Sequence, residues 1–386
     1  MTQERGSYGG HFIALIALSL LCLLPSLIKP PHIDAASYLF IAHSIVDHPF
    51  RPYDWWRPWQ PFTAPSATSF VYAHPPLFLW SLSMAGGLFG FESIPLLRFS
   101  HWLWWLVLVF SVFSLARGLC RRPLEASIAV LLSPALLLVG HQSLMIDLPT
   151  IALMTASMAV LWPALKGRPG AARLLFGGCI LGLATLSKYP ALLLWLPILF
   201  MVRRASREHR LRPLALIALP WGALFLGWQA YTAFIYGSPH LLYVLLHAQE
   251  IARTYALSRG VGALAHLGGT VVAPGLLVLA LWRRPRLALG ALALGGCALG
   301  GLAALNIEGS GVWGSLAEAT PPGLSARLQL LAFFTLGAGC LGLMASKALP
   351  YGRDGASLLL WAGVMLLGVI LGHNFVGARY LALGSV

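Results

Sequence analysis

The chain reads as an all-α integral membrane protein, with about eleven transmembrane helices and an outer first loop carrying short interfacial helices. Three observations lead there. Hydrophobic residues make up 58% of the 386 and charged residues only 10%, whereas a water-facing surface calls for about a quarter. Mean hydropathy is +0.77. The apolar residues fall in runs of about 17–25, the length of a membrane-crossing helix, and not in ten-residue alternating strands.

The elements follow in order. Residues 11–29 are expected to form a first span that stays uncleaved, because Leu21 before Cys22 is too large for a lipoprotein cleavage site. Further spans are expected at 98–117, 124–140, 148–165, 171–187, 190–202, 213–236, 261–282, 287–305, 327–346 and 356–372. The pair 171–187 and 190–202 is divided by the turn Ser187-Lys188-Tyr189-Pro190.

Residues 77–90 form an apolar run too short to span comfortably. Counting that run as a span would put Arg117, Arg121 and Arg122 outside and reverse every later loop. It is therefore read as an interfacial or re-entrant helix on the outer side. The basic clusters 117–122, 166–173, 203–212 and 283–286 then all lie inside, as the positive-inside rule requires. The N-terminus is cytoplasmic in this map. Most of the 12 acidic residues and most of the 12 histidines fall outside, so titratable chemistry gathers on the extracytoplasmic face of a cell (inner or plasma) membrane.

Residues 1–386 form a single polytopic domain, and residues 30–97 form its extracytoplasmic loop. That loop holds an amphipathic stretch at 35–47, an aromatic run (Arg51-Pro-Tyr-Asp-Trp-Trp-Arg-Pro-Trp) and His74-Pro75-Pro76-Leu77. Tryptophans of this density suit headgroup depth, so the loop is expected to lie on the bilayer.

The net charge of +14 does not mark a nucleic-acid binder, since the basic residues sit in short loops and no soluble basic face remains. The five cysteines, Cys22, Cys120, Cys179, Cys297 and Cys340, lie in or beside apolar runs with no CxxC pair. They suggest neither a disulfide framework nor a thiolate zinc site.

Two acids stand out. Asp34 follows the first span in His-Ile-Asp-Ala-Ala-Ser-Tyr38, and Asp147 lies in Gly-His141-Gln-Ser-Leu-Met-Ile-Asp147-Leu-Pro149. A carboxylate at the lipid boundary is costly unless wet, paired or metal-bound, so each is a functional candidate. The plain alternative is a helix cap, with Asp34 serving 35–47 and Asp147 serving the span from 148. By residue type, His32, His74 and His141 could join the two acids around zinc or manganese. A metal-free site fits the spacing equally well. Arg98, Lys188 and Arg379 are cations at the outer boundary, available for a phosphate or simply snorkelling to headgroups.

The order of these motifs resembles a known family. It runs from an Asp and Tyr38 after the first span, through Pro-Pro-Leu before a short helix, to Leu-Leu-Arg98 opening the next span. Ser-Pro…Asp147-Leu-Pro, Leu-Gly-Leu-Ala-Thr-Leu-Ser-Lys188 and Arg379-Tyr380-Leu continue it. Together they are similar to the GT-C type membrane glycosyltransferases that use polyprenyl-phosphate sugars. These include the protein O-mannosyltransferases, the lipid A aminoarabinose transferases and, more distantly, the catalytic subunit of oligosaccharyltransferase.

The resemblance implies an inverting transfer from a polyprenyl-phosphate-linked sugar donor to a glycan, lipid or protein acceptor. Asp34 becomes the candidate general base and Asp147 its partner. His74, Arg98, Lys188, Arg379, Tyr380 and Tyr38 become candidates for the donor and its phosphate. Asp34, Asp147 and His141 would ligate a divalent metal (Zn, Mn or Mg) if one is used. Two departures matter: Ala35 stands where many relatives have a second acid, and His74 stands where the lipid A enzymes have a lysine. Relatives also continue into a further span beyond Arg379-Tyr380, so completeness of the C-terminus stays open. A multi-span transporter or flippase and a non-catalytic membrane subunit remain the alternative classes.

Overall fold

The computed structural model describes residues 8–29, 31, 33–54, 74–133, 136–137, 144–167, 170–203, 211–252, 337, 341, 350 and 352–372. Every regular element among them is helical. The expected spans 261–282 and 287–305, nearly all of 327–346, and the residues Arg379 and Tyr380 lie outside the described residues.

The helices are α1 (Gly9–Leu27), α2 (Ile33–Asp47), α3 (Leu77–Phe89), α4 (Ile94–Leu119), α5 (Pro123–Leu131) and α6 (Asp147–Lys166). After them come α7 (Ala171–Ser187), a 3-10 turn at Tyr189–Leu194, α8 (Trp195–Val202), α9 (Leu211–Tyr236), α10 (His240–Ala252) and α11 (Gly352–Gly372). Among the described residues, α4, α6 and α9 are long and apolar enough to cross a membrane by length and composition. α2 and α3 occupy the places expected for short helices of the first loop. The stretch 124–140 begins as the nine-residue α5, with helical residues again at 136–137.

Several hydroxyls in these helices are satisfied by the helix that carries them. Ser19 donates to Leu15 O at 2.7 Å, Thr155 to Ile151 O at 2.8 Å, and Thr185 to Leu181 O at 2.9 Å. A polar group that closes its hydrogen bond locally can sit in hydrocarbon without a stranded donor. The outward faces are bare of polarity, with Ile13, Leu24, Leu103, Leu219 and Phe234 all more than half exposed. In water such faces would aggregate, whereas lipid covers them.

The chain packs chiefly through α7, which lies between α6 and α9, while α4 packs on α6 and α1 on α4. Small residues set the α7–α9 distance. A methyl at Gly178 would stand 2.2 Å from Ile217 O, and one at Gly182 would stand 2.7 Å from Leu224 Cδ1. The spacing Gly178-x-x-x-Gly182 thus lets two backbones meet, the usual device where lipid offers no hydrophobic drive.

Two buried clusters divide the molecule along the helix axes. The larger runs through α1, α4, α6, α7, α8 and α11. The second joins Ala35, Ile41, Tyr53, Phe78, Leu97, Leu144, Ile146, Leu186 and Trp228. That second cluster gathers the start of α2, the first loop, the start of α4, the start of α6 and the end of α7. At the opposite end, Arg117 lies over the Tyr8 ring at 4.2 Å and Lys166 pairs with Asp354 at 2.6 Å. The two ends therefore differ in chemistry.

Candidate functional site

The site is built where α6 begins and α7 stops. Pro190 has no N–H, and in a continuing α-helix its ring would clash with the carbonyl four residues back, at Leu186. The helix accordingly ends at Ser187, and Lys188 takes an extended backbone (φ −156°, ψ 135°) before the 3-10 turn. That break brings the Lys188 ammonium to Asp147, Nζ to Oδ1 2.7 Å, with both side chains 5% exposed or less. One position back on α7, the Ser187 hydroxyl lies 2.9 Å from that of Thr150, whose Oγ1 also donates to Ile146 O. Two successive rungs thus clamp the start of α6 to the end of α7.

The charges suit their helix ends. Asp147 sits in the first turn of α6 and Lys166 in its last, matching the macrodipole at both termini. Ile146 holds the N-cap position without a side-chain cap. The carboxylate of Asp147, one residue on, reaches the Lys188 ammonium across the hairpin.

Arg98 is buried at the start of α4. Its Nη1 donates to Ser26 O, which also accepts from the Lys29 amide, and to Lys29 O, carbonyls at the close of α1. The guanidinium therefore fastens the segment that leads from α1 into α2. Asp34 lies in the first turn of α2, beside Ala35. Ala35 is 1% exposed and shares its buried cluster with Ile146, the neighbour of Asp147. The Asp34 side chain, His32, His141, Arg379 and Tyr380 are outside the described residues.

His74 and Tyr38 face one another, ring centroids 6.4 Å apart, with Tyr38 edge-on to Phe78 at 5.4 Å. The carbonyl of His74 accepts a hydrogen bond of 3.0 Å from the hydroxyl of Tyr53. Tyr53 is itself buried, and its N–H donates to the Tyr236 hydroxyl at 3.2 Å. Burial, with the neighbouring Tyr189 and Tyr236 hydroxyls adding to it, pushes the Tyr53 hydroxyl well above the ordinary tyrosine range.

His240 completes this corner. Its ring stacks on Tyr53 at 4.8 Å, and its Nδ1 lies 2.6 Å from the Tyr189 hydroxyl and 3.3 Å from that of Tyr53. Gln229 donates to the Tyr189 hydroxyl at 3.3 Å and accepts from the N–H of Leu241 at 2.8 Å. The N–H of His240 donates to Thr232 Oγ1 at 3.0 Å, so side chains of α9 satisfy the first amides of α10.

Tyr53, Tyr189, Gln229 and His240 are not among the candidate residues the sequence singles out. The signals were slight: Tyr189 adjoins Lys188, and His240 follows the helix-ending Gly237-Ser238-Pro239. Among the described residues no three of His, Cys, Asp and Glu converge as metal ligands. At Asp147 a dication would meet the Lys188 ammonium on the same carboxylate, a repulsion that fits poorly with metal binding there.

The sequence model of the family described as dolichyl-phosphate-mannose-protein mannosyltransferase matches residues 73–228. Two solved structures share the fold. The oligosaccharyltransferase of Archaeoglobus fulgidus in its apo form is 15% identical with a TM-score of 0.53, over 99% of this chain and 50% of that one. ArnT from Cupriavidus metallidurans, bound to undecaprenyl phosphate, is 15% identical with a TM-score of 0.51, over 98% of this chain and 75% of that one. The chain thus spans half the length of the archaeal enzyme it matches. No match is found among curated protein sequences. These findings bear out the resemblance read from the motifs, and they show that the chain shares the helical fold of those two structures.

Proposed function

We propose that the protein is a membrane glycosyltransferase that moves a sugar from a polyprenyl-phosphate donor to an acceptor hydroxyl on the extracytoplasmic side, with inversion. The observation that carries this reading is the convergence at one end of the helices. The start of α2 with Asp34, the buried Asp147–Lys188 pair, Arg98, and the His74–Tyr38 corner all adjoin a single buried cluster. The match of residues 73–228 to the mannosyltransferase family covers most of that constellation. ArnT, which shares the fold, binds undecaprenyl phosphate.

In this reading Asp34 takes the proton of the acceptor hydroxyl as its oxygen attacks the anomeric carbon. The bond from that carbon to the phosphate oxygen breaks, and the lipid phosphate departs with the electron pair. Attack on the face opposite the leaving phosphate inverts the anomeric centre. The departing phosphate needs charge neutralisation more than a proton. Lys188, His74 and Arg379 supply that charge, with Arg98 adding to the positive potential while it holds the end of α1. Asp147 fixes the Lys188 ammonium in place. No step runs through a metal.

The test uses purified protein with labelled polyprenyl-phosphate sugars. Release of lipid phosphate coupled to sugar transfer supports the proposal. Movement of an intact solute across vesicles would make the protein a transporter, and neither activity would make it a non-catalytic subunit. Asp34→Asn should abolish transfer while leaving undecaprenyl phosphate binding unchanged; full activity in that variant removes Asp34 as base.

A further inference from the structure

We propose that His240 is a positioning residue that couples the first outer loop to Lys188. Three contacts and one peptide link form an unbroken path. The Tyr53 hydroxyl holds the carbonyl of His74 at 3.0 Å, and the Tyr53 ring stacks on His240 at 4.8 Å. His240 Nδ1 lies 2.6 Å from the hydroxyl of Tyr189, the residue that directly follows Lys188. The amide of Lys188 closes on Ala184 O, and its carbonyl accepts from Ala191 N at 3.1 Å, so the backbone around Tyr189 is held on both sides.

The path has no slack at its centre. His240 is fully buried, and its amide is fixed by Thr232. With Tyr189 donating to Nδ1, the phenol oxygen remains an acceptor for Gln229 at 3.3 Å. The Tyr53 hydroxyl then spends its proton on the His74 carbonyl. Both phenol protons of the corner are placed when Nδ1 accepts, so the imidazole acts as the keystone between a loop residue and a helix-break residue. A buried network whose phenols are paired in this way favours one arrangement. Displacing the loop at Tyr53 shifts His240, then Tyr189, and through the adjoining backbone the Lys188 ammonium. Movement of the first loop is thereby registered at the group assigned to the donor phosphate; this last link rests on the function proposed above.

The experiment compares His240→Asn, His240→Phe and Tyr189→Phe in the detergent-solubilised full chain. Asparagine keeps a polar atom near the Nδ1 position, phenylalanine keeps the stack alone, and Tyr189→Phe removes only one hydroxyl. Backbone hydrogen exchange is read at Tyr53 in the loop and at Lys188 and Ala191 beyond the helix break. His240→Phe and Tyr189→Phe should speed exchange about 3- to 10-fold at both places, the worth of one net buried hydrogen bond, whereas His240→Asn should stay within about twofold of wild type. Faster exchange at one place only, or an asparagine variant as perturbed as the phenylalanine one, overturns the coupling. If His240→Phe fails to fold, Tyr189→Phe carries the same comparison. In the transfer assay the phenylalanine variants should lower kcat by about the same 3- to 10-fold, with KM for the lipid donor unchanged. A wild-type protein that transfers no sugar would sink the glycosyltransferase reading and leave the exchange result to judge the coupling by itself.

Discussion

Asp147 and Lys188, on either side of the α6–α7 hairpin, form a buried ion pair with Nζ 2.7 Å from Oδ1. Deletion of one member should cost far more than deletion of both. Asp147→Asn or Lys188→Met alone leaves a buried charge without its partner, worth about 3–5 kcal/mol. The double variant should be less destabilised than the sum of the singles, by at least about 1 kcal/mol. Thermal denaturation of the four proteins in detergent measures this; strict additivity would mean the pair is not coupled.

The glycines of α7 should differ in tolerance according to what stands opposite. Gly178→Ala drives a methyl to 2.2 Å from the backbone oxygen of Ile217, which cannot rotate away. A loss of about 1–3 kcal/mol is expected. At Gly182 the opposing atom is the tip of Leu224, a flexible side chain, so the loss should be smaller. Gly87→Ala, with nothing within 4 Å of the added methyl, serves as the control. Melting temperatures ranked in any other order would contradict the α7–α9 packing.

Arg98 should not tolerate lysine. One guanidinium nitrogen reaches two carbonyls at the end of α1 from a planar, weakly hydrated head, which a compact and strongly hydrated ammonium on a flexible stem does not match in a buried place. Arg98→Lys should lower the melting temperature and loosen the segment 28–34, measured by hydrogen exchange, with a stability loss of about 1–3 kcal/mol. Unchanged exchange in that segment would show that the carbonyls do not depend on Arg98.

The Tyr53 anchor gives an alkaline limit. Its hydroxyl is pushed above the ordinary value of 10.0 by burial first. The raised value means that the unfolded chain releases this proton before the folded one does. Its contribution to stability is therefore intact below about pH 10 and falls as the pH rises from there toward the folded value. Tyr53→Phe should flatten stability against pH above about 10 relative to wild type. Parallel slopes in the two proteins would refute the assignment.

Much of the helical layout was legible in the sequence because lipid leaves few options. A run that must satisfy its own backbone in hydrocarbon becomes a helix, and charge and proline mark where it stops. The expected span 171–187 coincides with α7, since Gly170 precedes it and Pro190 ends it. The expected 98–117 falls short of α4 at both ends, because the helix opens at Ile94 with a proline in its first turn and runs on past Arg117 to Leu119. A short helix at 77–89 was readable as well, from run length.

The sequence by itself determined that the chain is built of apolar helices suited to a membrane, and it nominated Asp34, Asp147 and the boundary cations as candidates. Hydrophobic run length and charge placement are local properties, written residue by residue. Only the tertiary structure decided that Asp147 pairs with Lys188, that Arg98 holds the close of α1, and that Tyr53 meets His240 from 187 positions away. Those pairings depend on one extended residue at a proline-driven break and on glycine-allowed helix spacing. They are sums of backbone geometry over long stretches of chain, which no local pattern records.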